Sequence, residues 1–296
     1  MKKEIVLWDP LPGDHIVVAV PPELDNEERT IWNGAVLCAA AGDPSHVHGG
    51  FSCCPFKVAL ALRAITHKVF ACIYSSETGN WSEFVSAAVP FKVYCVTDPG
   101  TLVGNAVYWM PRGLGGYGIL EFNLETHSLD LIEWPPGATD SRGGSCHILL
   151  TEDGSLGLAI LPCDSLQIWE RKVRSECVAQ WVLQKTYNLC KVHGMGPGPV
   201  SILGYAEDTN VMLLWSVFGV YMLQIDFLQS KKLWKLISYT DIIHTQVSMV
   251  QVIPCLHFLR TKTIQLVTVL GCCNTSTMLL KILVNNLNLV VIVIYH

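Results

Sequence analysis

The sequence predicts an all-β protein, a β-propeller of kelch-like repeats about 50 residues long, and three observations carry that expectation. First, four stretches repeat one pattern, in which an apolar strand runs into a polar turn and a second strand opens near Trp81, Leu129, Trp181 and Leu233. The intervals between those positions are 48 (129−81), 52 (181−129) and 52 (233−181) residues. Second, an apolar strand precedes each turn pair, and the runs starting at Leu102, Leu156 and Val211 lie 54 (156−102) and 55 (211−156) residues apart. Third, each unit joins an apolar inner strand, a second strand, a tight turn and an amphipathic third strand, and a period of this size with about four strands per repeat belongs to propeller blades.

Along the chain, Trp8-Asp9-Pro10-Leu11-Pro12-Gly13-Asp14 resembles the aromatic-acidic turn element, so the sequence starts within a blade. The stretches Pro21 to Arg29 and Ala41 to Gly50 are polar or rich in Gly, His and Pro, and read as loops flanking a strand or two. Complete repeats follow at about Phe56–Ser86, Leu102–Trp134, Leu156–Leu189 and Val211–Tyr239, with Leu102 to Trp109 taken as one strand. A further strand begins at Met249, but the turn signature does not return after it. With four full repeats and two partial ones, the ring is expected to be incomplete or irregularly closed. The domain expectation is a propeller-like domain over residues 1–255 and a divergent hydrophobic tail over 256–296.

In the tail, Met278 to Tyr295 is apolar apart from Lys281, Asn285, Asn286 and Asn288 and polar residues at its margins. Those four residues make insertion as a membrane helix costly, and the β-branched ending suits strands. A strand pair turning at Asn285-Asn286, a membrane anchor and a non-native end to the sequence all remain open, with membrane attachment the least favoured.

Composition narrows the function classes. Half of the 296 residues are hydrophobic and only 15% are charged, against about 25% in ordinary soluble domains. Packed sheets or a partner must cover much of that apolar surface. The net charge is −5 and the 20 Lys and Arg are scattered, so no basic field exists to attract nucleic acid. The twelve cysteines include Cys53-Cys54 and Cys272-Cys273 but form no C-x-x-C. They read as reduced core thiols of an intracellular protein. Met1 to Pro10 is too poor in apolar residues for a signal-peptide core, so secretion is not expected and the sequons at Asn80 and Asn274 read as chance matches.

Four constellations invite a chemical reading. Gly113-Leu114-Gly115-Gly116-Tyr117-Gly118 fits the dinucleotide fingerprint, but a strand pattern follows where a helix would have to receive the pyrophosphate. It reads as a glycine-rich hairpin loop. His46 and His48, with Asp43 and Cys53-Cys54 nearby, offer metal-binding atoms at a spacing that structural zinc sites do not use. Glu152-Asp153 and Glu207-Asp208 resemble a carboxylate pair, yet they recur 55 (207−152) residues apart, which is the blade period, and so read as hairpin turns. Trp81, Trp109, Trp134, Trp169, Trp181, Trp215 and Trp234 recur with the repeat and read as inter-blade packing rather than a stacking surface. No catalytic, cofactor-binding or metal residue is assigned, no cofactor is expected, and the substrate-binding residues stay unassigned.

Several ordered motifs resemble those of a known family: Tyr74-Ser75-Ser76-Glu77-Thr78-Gly79-Asn80-Trp81-Ser82, Leu102-Val103-Gly104-Asn105-Ala106-Val107-Tyr108-Trp109, Ile119-Leu120-Glu121-Phe122-Asn123-Leu124, Leu166-Gln167-Ile168-Trp169 and Ile202-Leu203-Gly204-Tyr205-Ala206-Glu207-Asp208. Together they resemble the F-box-associated β-propeller domain of plant F-box proteins, especially the large grass group, over roughly residues 5–255. The resemblance implies a substrate-binding propeller of a cullin-type ubiquitin ligase, located in the cytoplasm or nucleus, with a protein client of unknown identity. An F-box is not found ahead of Trp8, so docking on the Skp1 adaptor is not expected. The resulting expectation is a non-catalytic protein-interaction module; the alternatives are a propeller-fold enzyme such as an oxidase or hydrolase, or a degenerate fragment.

Overall fold

A computed structural model describes residues 4–8, 15–25, 29–40, 54–64, 67–95, 100–114, 116–138, 145–162, 165–173, 179–189, 200–206, 209–216, 218–234, 279–285 and 288–295. Among the described residues no helix is long and apolar enough to cross a membrane. The strands, in chain order, are β1 (Glu4–Trp8), β2 (His15–Ala19), β3 (Arg29–Cys38), β4 (Phe56–Ala64), β5 (Lys68–Ser75), β6 (Asn80–Trp81), β7 (Val85–Ala88) and β8 (Lys92–Cys95). They continue as β9 (Thr101–Val103), β10 (Ala106–Trp109), β11 (Arg112–Leu114), β12 (Gly116–Tyr117), β13 (Ile119–Asn123) and β14 (Ser128–Ile132). The remainder are β15 (Cys146–Leu150), β16 (Leu156–Ile160), β17 (Ser165–Val173), β18 (Ala179–Asn188), β19 (Val200–Ala206), β20 (Val211–Ser216), β21 (Gly219–Gln224), β22 (Gln229–Trp234), β23 (Leu279–Asn285) and β24 (Asn288–Tyr295). One 3-10 turn, Pro22–Asp25, precedes β3.

These strands form successive antiparallel sheets in the orders β3-β4-β5-β6, β9-β10-β13-β14, β15-β16-β17-β18 and β19-β20-β21-β22, with β8, β11 and β12 in a small sheet of their own. The remaining sheet is β2-β1-β24-β23, which joins strands from both ends of the chain. Repeated four-stranded meanders, together with one sheet shared by the termini, are the topology of a β-propeller. Second strands begin at Phe56, Ala106, Leu156 and Val211, at intervals of 50, 50 and 55, and fourth strands at Asn80, Ser128, Ala179 and Gln229, at intervals of 48, 51 and 50. The repeat read from the sequence is therefore the register of the sheets.

Two details differ from the sequence reading. Leu102 to Trp109 is not one strand: Val103 pairs with Ala106, and Gly104-Asn105 turns the chain between β9 and β10. Gly104 has φ +56° while Asn105 does not enter the positive region, the pattern of a two-residue hairpin turn with glycine first. The runs at Ala106, Leu156 and Val211 also stand second in their sheets, because β9, β15 and β19 precede them as edge strands. Full burial on both faces made these second strands the most apolar and hence the most legible.

The chain divides into two compact units, Met1–Trp134 with Leu266–His296, and Pro135–Gln265. In the first unit strand β4 is buried on both faces. Val58, Leu60 and Leu62 of β4 pack with Ile5, Leu7 and Val18 of the terminal sheet. The alternate residues Ala59 and Ala61 face Val107, Trp109, Leu120 and Phe122 of β10 and β13. That two-residue alternation is the pleat of one strand serving two neighbouring sheets. In the second unit Leu149, Ala159 and Leu166 of the β15-β16-β17-β18 sheet pack with Ile202, Met212, Leu214 and Leu223 of the next.

The tail takes one of the forms left open by the sequence. Strands β23 and β24 pair antiparallel from Leu279↔Ile294 to Asn285↔Asn288. β24 also pairs with β1, from Glu4↔Tyr295 to Trp8↔Val291. The segment starting at Met249 lies outside the described residues.

Three of the third-to-fourth-strand turns end in a residue with positive φ: Gly79 at +69°, His127 at +52° and Leu228 at +50°. An L-side chain there costs about 1–2 kcal/mol. We expect Gly79→Ala, which meets nothing within 4 Å, to lower stability in urea denaturation by about 1 kcal/mol through backbone strain alone. Leu228→Gly is expected to raise it by a comparable amount, and equal midpoints for both variants and the parent would contradict the strain argument.

Candidate interaction surface

In an antiparallel meander the turn between strands one and two and the turn between strands three and four fall at the same end of the sheet. At that end, equivalent asparagines tie the two turns together. Asn105, immediately before β10, accepts the Leu124 N–H on its carbonyl at 2.9 Å. Its side-chain amide donates to Glu125 Oε2 at 3.2 Å. Asn210, immediately before β20, accepts the Ile225 N–H at 3.1 Å. Its amide donates to Asp226 Oδ1 at 2.6 Å. The Asn210 side-chain oxygen in turn accepts the Tyr205 hydroxyl at 2.9 Å.

Local chemistry completes each turn. Asn123 Oδ1 accepts the backbone N–H groups of Glu125 at 3.0 Å and Thr126 at 2.9 Å, an Asx turn that mimics the backbone. In the other sheet Gln224 stands at that position and donates instead to the Thr209 carbonyl at 2.7 Å. In the β3-β4-β5-β6 sheet, Phe56 and Ser76 do the same job: Ser76 N–H donates to the Phe56 carbonyl at 2.9 Å, and Phe56 N–H to Ser76 Oγ at 2.8 Å. The turns so held expose Glu77 and Thr78, Glu125 to His127, and Asp226 and Phe227. Phe227 is 71% exposed, an aromatic ring at the tip of a fixed hairpin.

Within the second unit a further turn shares the end occupied by Phe227. Ser145, just before β15, accepts the Ile202 N–H of β19 on its hydroxyl at 2.8 Å, which aligns the starts of these two edge strands. The turn after β15 therefore lies at the same end as the turn after β19. There Thr151 donates from its hydroxyl to Asp153 Oδ1 at 2.6 Å, and Ser155 N–H donates to Thr151 Oγ1 at 3.0 Å and to Asp153 Oδ1 at 3.2 Å. The Thr151 hydrogen bond first, and then one with Glu170, hold the Asp153 carboxyl well below the usual carboxylate range. Glu170 is nearly buried and receives Gln184 Nε2 at 2.6 Å and Lys172 Nζ at 3.0 Å.

The residues singled out in the sequence fall as follows. Gly113 and Gly116 pair across the β11–β12 hairpin and the chain enters strand β13, so no helix receives a phosphate there. Glu152 and Asp153 form a hairpin turn, as the period implied, and Glu207-Asp208 lies outside the described residues. Asp43, His46, His48 and Cys53 lie outside them as well; among the described residues no group of three or more metal-binding side chains gathers. Trp81 donates from Nε1 to the Ala19 carbonyl of the terminal sheet at 2.8 Å, and Trp109 is fully buried against Phe122 at 6.1 Å between centroids. Both are packing residues, as their repeat-linked spacing indicated. The sequence reading missed Asn105, Asn210 and Glu170, although an asparagine directly before an apolar strand, recurring at twice the blade period, was a signal for the first two.

No family model matches the chain, and no curated protein matches it. Among solved structures it is similar to the crystal structure of TolB from Acinetobacter baumannii, at 12% identity and a TM-score of 0.41. The superposition covers 98% of this chain, which spans 63% of the length of that one. The propeller assignment rests on the sheets and their packing described above.

Two outcomes follow from this geometry. Asn210→Ala removes a clamp and places alanine at φ +51°, so a loss of about 1–2 kcal/mol is expected in chemical denaturation. A double-mutant cycle with Asp226→Ala should return a coupling of about 0.5 kcal/mol or more, and strict additivity would show that the amide-carboxylate bond contributes nothing. Because the Asp153 pKa is lowered on folding from its ordinary 3.8, its contribution is present above that pH and is lost as the pH falls toward the folded value. Asp153→Asn should therefore flatten the stability-versus-pH curve below about pH 4 while leaving its shape at neutral pH unchanged.

Proposed function

We propose that the protein is a non-catalytic interaction module that recognises a protein client through clamped turns at the sheet ends of its second unit. The observation that carries this reading is the repeated asparagine clamp, which fixes exposed turn residues on a rigid scaffold. Rigid display lowers the conformational cost of binding, and an aromatic ring such as Phe227 is the side-chain type that anchors protein interfaces. Beside it, Glu152, Asp153 and Asp226 make the second unit's turn end acidic, which favours a client segment pairing an apolar side chain with Lys or Arg.

The finer reading is a substrate receptor of a cullin-type ubiquitin ligase acting in the cytoplasm or nucleus. Its support is the resemblance of the repeat motifs, from Tyr74–Ser82 to Ile202–Asp208, to F-box-associated propellers. Affinity purification of the tagged chain from plant cells, beside a version fused to an F-box, separates the two levels. Clients shared by both baits, with Skp1 and cullin joining the fusion, support the receptor reading. Reproducible clients for the chain whose binding is lost in the fusion would sink the receptor reading and leave the interaction module standing.

For any client so captured, Phe227→Ala is expected to weaken binding at least tenfold, with thermal stability unchanged because the ring is exposed. Unaltered affinity across Phe227→Ala and Asp226→Ala would move the binding face away from these turns.

A further inference from the structure

At the same end of the β3-β4-β5-β6 sheet, the edge of the β3–β4 pair carries two thiols. Cys38 closes β3 opposite Phe56, and Ala39 N–H donates to the Pro55 carbonyl at 2.9 Å, so the antiparallel register runs on past the last ladder pair. That register places Cys54 on the same face as Cys38, one diagonal step away, because side chains alternate faces along each strand, and a bond between them has to draw the ends of the two strands together. Both residues are half-buried, in contrast to Cys72 and Cys146 in the core. The two side chains are hydrogen-bonded to each other, and the Cys38 sulfur also interacts with the Ala40 backbone.

We propose that Cys38 and Cys54 form a redox-active dithiol, closed to a disulfide by exchange with a small disulfide of the oxidised-glutathione type. Oxidation would cross-link the last residue of β3 to a residue two positions before β4. Half-burial separates these thiols from the inert core cysteines, which no exchange reagent can reach.

The chemistry balances with that oxidant alone. The Cys54 thiolate attacks one sulfur of the glutathione disulfide, forming a mixed disulfide and releasing one glutathione thiolate. Cys38 then attacks the Cys54 sulfur, the mixed bond breaks and the second glutathione leaves as thiolate. Two protein thiols are oxidised, one small disulfide is reduced to two thiols, and the two protein protons pass to the departing thiolates. Burial first, and then proximity to Cys54, pushes the Cys38 thiol up, which slows its attack on a free disulfide.

The test uses the full chain, equilibrated with defined ratios of oxidised to reduced glutathione, quenched with N-ethylmaleimide and digested without reduction for mass spectrometry. The expected product is a peptide pair linked through Cys38 and Cys54, retained in Cys53→Ser so that its neighbour is not the partner. Cys38→Ser should trap a glutathione adduct on Cys54, and Cys54→Ser should abolish the link. Oxidation should also raise the urea midpoint of the parent and of Cys53→Ser but not of Cys38→Ser. A Cys38–Cys53 link, persistent glutathione adducts on both sulfurs of the parent, or two alkylated thiols under oxidising ratios would each overturn the proposal.

Discussion

Everything else in this fold depends on inner strands that bury both of their faces. In β4 the odd and even positions serve different neighbours, with Val58, Leu60 and Leu62 on one side and Ala59 and Ala61 on the other. The size difference follows from what each meets. Large aliphatics oppose the aliphatic Ile5, Leu7 and Val18, whereas alanines leave room for Trp109 and Phe122. Close packing of this kind transmits any change of volume, so each strand's sequence is constrained twice. Low charge content is the compositional result of that double constraint.

Edges and turns then have little freedom left. Where a second strand begins, its position relative to the third is already set by the ladder, and the asparagine clamps at Asn105 and Asn210 use this fixed offset to satisfy backbone groups that the ladder leaves over. The same offset in the β3-β4-β5-β6 sheet is met by Ser76 without an asparagine. One geometric requirement is thus solved by two side-chain chemistries, and only the geometry repeats throughout. Irregularities sit outside this zone: the register of β3 against β4 steps over Trp32, and that of β19 against β20 over Leu203.

The period was legible because doubly buried strands such as Leu156–Ile160 and Val211–Ser216 are nearly unbroken apolar runs. What stayed hidden has physical reasons. The edge strand β9 is three residues long with Leu102 exposed, and so gave no separate signal. The hairpin at Gly104-Asn105 lay inside an apolar run, where a single glycine is weak punctuation until its φ is known. Glu170 and Asp153 are brought together by cross-strand pairing between β16 and β17, a proximity that spacing in the sequence does not encode. The turn at Asp153 itself was legible, because its recurrence followed the repeat.

The pairing of β1 with β24 carries a consequence for how the chain reaches this structure. Glu4 and Tyr295 are partners across 291 positions (295−4), the widest separation among the described ladder pairs. Sheets with such non-local pairs pay loop-closure entropy before any contact rewards it, and they form slowly. During synthesis, β1 and β2 wait with an open edge until β24 leaves the ribosome. The late arrival, Asn288-Leu289-Val290-Val291-Ile292-Val293-Ile294-Tyr295, has the high β-propensity and absence of charge that favour pairing between different molecules. The unpaired edge of β1 is thus exposed to aggregation for as long as its partner strand is missing.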